Sequence, residues 1–138
     1  LDTLNLASNK GEFSPVRARH LIEMIDADKS RPIAVCTHHP PFEVQVGPDP
    51  VHFQTRKMMD ELSEALLYSD RVVAVFSGHV HRGTVGRVGS IPSSVMPSVA
   101  TTLRKGEYPT HLIDCPVYHI HRFDPVAGFS TESRIAGL

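Results

Sequence analysis

Residues 32–41 read Pro-Ile-Ala-Val-Cys-Thr-His-His-Pro-Pro, and residues 72–81 read Val-Val-Ala-Val-Phe-Ser-Gly-His-Val-His. Each stretch begins with a short, nearly continuous apolar run, the pattern of a strand that is buried on both faces of a sheet. Each run then stops at histidines, and Pro40 and Pro41 prevent further strand pairing in the first stretch. The sequence therefore predicts two buried strands that both end in histidine.

Helical patterns precede both strands. Ser14 suits the N-cap of a first helix and Pro15 its first helical position, and apolar residues recur there at helical spacing. A second helix is predicted over residues 53–69, with one apolar stripe. Short strands are predicted over residues 84–88, 93–101, 117–123 and 129–135. This order of elements predicts an α/β layered fold with a mixed sheet, two main helices and a C-terminal run of strands.

The composition is that of an ordinary globular protein and excludes some functions. The net charge of -1 over 138 residues comes with no basic stripe, so we expect no nucleic-acid polymer as a partner. No apolar run approaches the roughly 20 residues that a membrane helix needs, and the N-terminus has no signal pattern. Cys36 and Cys115 form no metal-binding pair and are expected to be free thiols, so a cytoplasmic location is the expectation.

Histidines at the ends of neighbouring strands are suited to binding metal. In open α/β sheets, sites form at the carboxyl ends of strands, so His38 and His79 are expected on one rim of the sheet. Gly78 allows a sharp turn before His79, and extended geometry would point His79 and His81 to the same side. Neutral imidazoles bind Zn, Fe, Mn or Co, and two such ions about 3.5 to 4 Å apart activate water for attack on a phosphoryl group.

These residues carry a resemblance to a known family. Residues 37–42 and 78–82 resemble the last two motifs of the calcineurin-like metallophosphoesterases. Residues 1–3, 11–14 and 118–123 resemble the class III cyclic-nucleotide phosphodiesterase branch of that family. The resemblance covers nearly the whole chain and implies that residues 1–138 form a single partial domain, the C-terminal half of a layered α/β-sandwich fold.

The resemblance also implies roles for individual residues. His38 and His79 would bind one divalent metal ion and His81 a second, with Mn, Fe, Zn or Co as the candidate metals. His39 would lie behind the ligands or near the substrate, and Arg82 would approach the phosphate. The implied substrate is a small phosphodiester of the cyclic-nucleotide or glycerophosphodiester class.

The chain departs from the family in lacking its earlier motifs. Those motifs, Asp-x-His, Gly-Asp-x-x-Asp and Gly-Asn-His-Asp/Glu, supply the bridging aspartate and the other ligands, and none occurs here. Because the chain opens at Leu1, in sequence typical of the middle of a domain, we expect an N-terminal half upstream. We therefore expect an intact metal-dependent phosphoesterase, a chain that is inactive alone, and association with that half or with a second copy. The alternative is a binding or scaffold module without catalysis.

Other histidines have simpler interpretations. His119 and His121 repeat the His-x-His spacing, but they fall in the middle of a predicted strand, where alternation places both on one face of a sheet. A second metal site there is the less favoured alternative. His52 lies in a predicted loop, and its alternative role is to border the substrate entrance.

Overall fold

The computed structural model describes residues 1–137 and arranges them as two helices, a four-stranded sheet and a two-stranded sheet. The helices are α1 (Pro15–Asp26) and α2 (Arg56–Leu66). The strands are β1 (Ile33–Cys36), β2 (Val72–Ser77), β3 (Thr84–Val88), β4 (Ile91–Val95), β5 (Val117–Asp124) and β6 (Gly128–Ile135). The predicted α/β fold class is confirmed.

The larger sheet is mixed and has the order β1-β2-β4-β3. β1, β2 and β4 run parallel, whereas β3 pairs antiparallel with β4 through a tight hairpin turn. Both helices cover one face, where Leu21, Ile25, Leu62 and Leu66 form a core with β-strand residues such as Val75. The parallel pairing of β1 with β2 puts the two histidine stretches side by side.

Side-chain caps fix where the helices begin. Ser14 Oγ accepts the backbone N–H of Arg17 at 3.4 Å, so α1 begins where the sequence predicted. α2 begins later than predicted, because Thr55 Oγ1 accepts the backbone N–H of Met58 at 3.3 Å and so caps the helix. Phe53, which the sequence assigned to this helix, is instead extended and fully buried.

The prediction that β1 is buried on both faces is wrong. β1 is the edge strand of the sheet. Val35 is buried in the core and Ile33 packs against it, half-buried, whereas Ala34 and Cys36 are exposed. An apolar run of this length does not tell an edge strand from a central one, because its composition suits either position. The Cys36 thiol is therefore exposed, and its carbonyl oxygen accepts a hydrogen bond from the amino group of Leu1 at 2.7 Å.

The β5–β6 hairpin forms a second, separate sheet that packs on the face of the larger sheet opposite the helices. The Phe76 ring of β2 stacks on His121 with centroids 3.7 Å apart and contacts Phe129 edge-on at 5.4 Å. On the outer face of the hairpin, Glu132 forms ion pairs with Arg122 and Arg134. Neither helix of residues 1–137 combines the length and the apolar character needed to cross a bilayer.

Candidate metal centre

Pairing between β1 and β2 continues past their ends and brings His38 next to His79. The Thr37 N–H donates to the Phe76 carbonyl at 3.0 Å, and the Gly78 N–H donates to the His38 carbonyl at 3.0 Å. The imidazole centroids of His38 and His79 consequently lie 5.3 Å apart. The structure thus places these two side chains on one rim of the sheet, as the sequence predicted.

The turn after β2 has an unexpected backbone. His79 and His81 have φ angles of 69° and 60°, and within residues 1–137 they are the only residues other than glycine with positive φ. The extended alternation expected for them is therefore wrong, and the left-handed residues are the histidines rather than Gly78. Histidine adopts this conformation uncommonly, and such residues concentrate at functional sites.

Contacts within the turn hold this conformation. Val80 is buried against Val44 and Val95, and its N–H donates to the Gly78 carbonyl at 2.8 Å. The Lys105 N–H donates to the His81 carbonyl at 2.8 Å. Burial of Val80 between the two histidines therefore fixes the path of the backbone on both sides of it.

Both nitrogens of His39 are already paired. Nδ1 lies 2.8 Å from the Thr3 hydroxyl and Nε2 lies 3.1 Å from the Asn9 carbonyl oxygen. Because a carbonyl only accepts, Nε2 carries the proton and Nδ1 accepts from Thr3. A Cβ on Gly11 would lie 2.7 Å from the His39 ring, so glycine is needed for the N-terminal segment to cover it. His39 is therefore buried and locked in one orientation.

His52 is a fourth member of this group, which we name the histidine cluster (His38, His39, His52 and His79). It is buried, its ring lies 5.3 Å from that of His79, and its Nε2–H donates to the Val44 carbonyl at 2.9 Å. The loop that carries it folds back because Gly11 pairs with the 52–54 segment. The sequence predicts only that His52 lies in a loop, with the border of a substrate entrance as the alternative, and no local signal indicates this long-range pairing.

Burial keeps His79 and His39 neutral. It is the main cause that lowers the pKa of His79 to about 3, and the neighbouring imidazoles of His39, His52, His38 and His81 lower it further. Burial likewise lowers the pKa of His39, against the opposing effect of its hydrogen bond to Asn9. His79 therefore keeps a lone pair for a metal ion at neutral pH.

The donor set is suited to a cation of borderline softness. His38, His39 and His79 each offer a nitrogen, and these atoms lie within 4.8 Å of one another. His39 uses both of its nitrogens within the protein, so His38 and His79 are the better ligands of the three. Two imidazoles on one tetrahedral ion at about 2.1 Å have centroids roughly 5 Å apart, close to the separation found here.

The remaining predicted residues lie outside this group. His81 is half-buried and Arg82 is exposed, and neither belongs to the set of close nitrogens. No aspartate or glutamate in residues 1–137 joins that set either. The metal and substrate roles of His38, His79, His81, His39 and Arg82 stay predictions.

Comparison with known proteins adds no identification. No protein-family model matches this chain, and no curated protein matches its sequence.

Proposed function

We propose that the histidine cluster binds a divalent metal ion through His38 and His79, and that the chain is the histidine-donating part of a metal-dependent phosphoesterase. The observation that supports this proposal is the meeting of two imidazoles, 5.3 Å apart, at the carboxyl ends of adjacent parallel strands. The motif resemblance described above adds the reaction, which is hydrolysis of a small phosphodiester.

The ligands determine which metals fit. A set of imidazoles without a carboxylate favours Zn and Co over Mn, with Fe between them. A bound ion of this kind lowers the pKa of a coordinated water and neutralises phosphoryl oxygens. His81 follows directly on the same turn and is the candidate ligand of a second ion. Arg82 is exposed beside it, where a guanidinium can pair with a phosphate.

A complete phosphoesterase site needs carboxylates from elsewhere. No aspartate or glutamate of residues 1–137 lies in the group of close ligand atoms, so the chain alone lacks a bridge between two metals. The outer edge of β1 is where another segment would extend the sheet, because β1 ends the strand order and has a neighbouring strand on one side only. We propose that an N-terminal half, or failing that a second copy, pairs there.

Metal binding is the first test. Isothermal titration with Zn²⁺ and Co²⁺ should show one tight site in the native chain. His38→Ala and His79→Ala should each weaken it by at least about 100-fold, since loss of mere supporting residues already costs 10- to 100-fold. His20→Ala, on the exposed face of α1, serves as the matched control and should change nothing. A native chain that binds neither metal would contradict the proposal.

Activity separates this proposal from the scaffold alternative. The missing carboxylate favours a chain that binds metal without turnover, so with bis(4-nitrophenyl) phosphate and Zn²⁺ or Co²⁺ we expect a rate far below the enzyme median of about 10 s⁻¹. Addition of the N-terminal half should restore the rate if the protein is an enzyme. Metal binding with no activity in the reconstituted pair would favour the non-catalytic module.

A further inference from the structure

The β5–β6 hairpin is attached to the larger sheet by few contacts. Within residues 1–137, no hydrogen bond or ion pair joins its two strands to that sheet, because their backbone hydrogen bonds and ion pairs are internal to the hairpin. Of the eight residues in each strand, only Val117, at the base, is buried. Phe76 of β2 provides the other contact, through the rings of His121 and Phe129. Elements with so few buried apolar residues open locally at a smaller cost than global unfolding.

Three buried polar atoms beneath the hairpin have no partner. Within residues 1–137 they are Thr37 Oγ1, Ser94 Oγ and His119 Nδ1, and their residues line the cleft between the larger sheet and the hairpin. The cleft is open to solvent, but these three atoms are buried too deeply for water to reach them. An unpaired buried polar group shifts an equilibrium by roughly fivefold or more towards a state in which it is hydrated. Each of the three atoms therefore opposes the closed position of the hairpin.

His119 makes the opening sensitive to pH. Its Nδ1 has no acceptor in the closed hairpin, so protonation would place a positive charge in a buried position without a partner. Of the residues that line the two clefts beneath the hairpin, only His119, His121 and Arg87 are titratable or charged. Glu132 of β6 lies on the outer face of the hairpin in its own ion pairs. The His119 imidazolium would therefore meet no counter-charge.

The direction of the pH effect follows from the pKa of His119. Burial, and then the neighbouring His121, lower that pKa below its ordinary value of 6.5. In the open hairpin the imidazole is hydrated, so its pKa returns towards the ordinary value. The closed position is therefore fully stable above pH 6.5 and loses stability as the pH falls below it.

We propose that the β5–β6 hairpin is a pH-sensitive flap that lies closed on the larger sheet at neutral pH and lifts away as one unit when His119 is protonated. The pairing of β5 with β6 stays intact, and the chain bends at residues 115–116, just before β5 begins. Opening uncovers Ala74 and Phe76 of β2, so the flap controls access to this face of the sheet. None of the four residues of the histidine cluster lines the clefts, so the proposal does not depend on metal binding.

Thiol labelling measures the opening. In a chain with Cys36→Ser and Cys115→Ser, Ala74→Cys reports on the flap and Ala65→Cys, in α2, reports on global unfolding, because both alanines are buried. At pH 7.5, Ala74→Cys should react with 4,4′-dithiodipyridine at least about tenfold faster than Ala65→Cys. From pH 7.5 to 5.5 its rate, corrected for the reactivity of a free thiol, should rise roughly five- to tenfold. Equal rates at the two positions would overturn the proposal.

Two further variants assign the cause. His119→Gln stays neutral, so it should reduce the rise in Ala74→Cys labelling to less than about twofold. His20→Gln, at an exposed position of α1, is the matched control and should leave the rise intact. Thr37→Val removes one unpaired atom and should slow Ala74→Cys labelling by about fivefold or more. A full rise in His119→Gln, or native labelling in Thr37→Val, would refute the flap.

Spectra of the unsubstituted chain provide an independent check. With EDTA present, the amide signals of Phe76, His121 and Phe129 should shift together between pH 7.5 and 5.5. Their common midpoint should match that of the His119 imidazole, because one protonation moves the whole hairpin. Separate midpoints, or no shift at Phe76, would show that the hairpin does not lift as one unit.

Discussion

Two His-x-His pairs in this chain have the same spacing and different surroundings. His79 and His81 lie on a left-handed turn after a parallel strand, and the His79 ring has three other imidazoles within 5.3 Å. His119 and His121 lie within an antiparallel strand, with ring centroids 5.8 Å apart. There His121 is engaged by Phe76 and by the Thr131 hydroxyl.

The difference shows that spacing alone does not make a metal site. What gathers the histidine cluster is the parallel pairing of β1 with β2, which aligns the ends of strands that are far apart in sequence. In the β5–β6 hairpin no strand ends meet at the two histidines. Each histidine instead lies opposite one residue of the antiparallel partner, His119 opposite Ser133 and His121 opposite Thr131. The following predictions test this contrast through stability, packing and titration.

Removal of His39 should produce the largest loss of stability. His39→Ala deletes two hydrogen bonds and leaves the buried Thr3 hydroxyl unpaired, so we expect a loss of about 2–4 kcal/mol in the free energy of unfolding. His121→Ala loses one hydrogen bond and one ring contact, and should cost about 1 kcal/mol. Urea unfolding measures both values. Equal losses would mean that the cluster is no more constrained than the hairpin.

A methyl group added at Gly11 should have the next largest effect. Its Cβ would lie 2.7 Å from the His39 ring, so Gly11→Ala should destabilise by about 1–3 kcal/mol and weaken metal binding through the displaced ring. Gly83 lines the open cleft below the hairpin, where a Cβ would lie 3.6 Å from Pro97. Gly83→Ala should therefore stay within about 0.5–1 kcal/mol of the native chain. Native stability in Gly11→Ala would refute the close packing of the cluster.

Acidification should destabilise the metal-free protein gradually. The folded-state pKa of His79 is about 3, below its ordinary value of 6.5, so the unfolded chain takes up a proton that the folded chain refuses. Stability should be full above pH 6.5 and fall as the pH drops towards 3. Between pH 7 and 5, in the presence of EDTA, His79→Gln should flatten this decline more than His121→Gln. Burial alone lowers the pKa of His121, whereas burial and four neighbouring imidazoles lower that of His79. Equal slopes of the unfolding free energy against pH in the two variants would contradict the lowered pKa of His79.

Much of the fold followed from local sequence patterns. Ser14 with Pro15 marked the start of α1, and the residues of β3 were predicted without error. β5 and β6 were predicted to within one residue at either end. These elements depend on caps, turns and alternation, which act over a few residues. The edge position of β1 was not predictable in this way, because the order of strands is set by contacts between distant segments.

The candidate site was only partly predictable for the same reason. His38 and His79 were predicted because each follows a short apolar run and lies next to a residue that ends a strand, Pro40 or Gly78. The place of His52 depends on the pairing of Gly11 with the 52–54 segment, and the locked state of His39 depends on Thr3 and Asn9. The left-handed backbone at His79 and His81 reflects burial of Val80. These causes are tertiary contacts between distant segments, so the histidine motifs alone do not predict them.

The most direct test of the proposed metal centre is to identify the imidazole nitrogens that bind the metal ion. Long-range ¹H–¹⁵N spectra of the imidazoles, recorded with and without one equivalent of Zn²⁺, report each ring separately. We predict that one nitrogen of His38 and one of His79 shift on metal binding. His39 should keep its proton on Nε2, and His119 and His121 should not change. Unchanged spectra for His38 and His79, or a metal-induced shift at His119 and His121 instead, would contradict the proposal that the strand-end histidines form the metal centre.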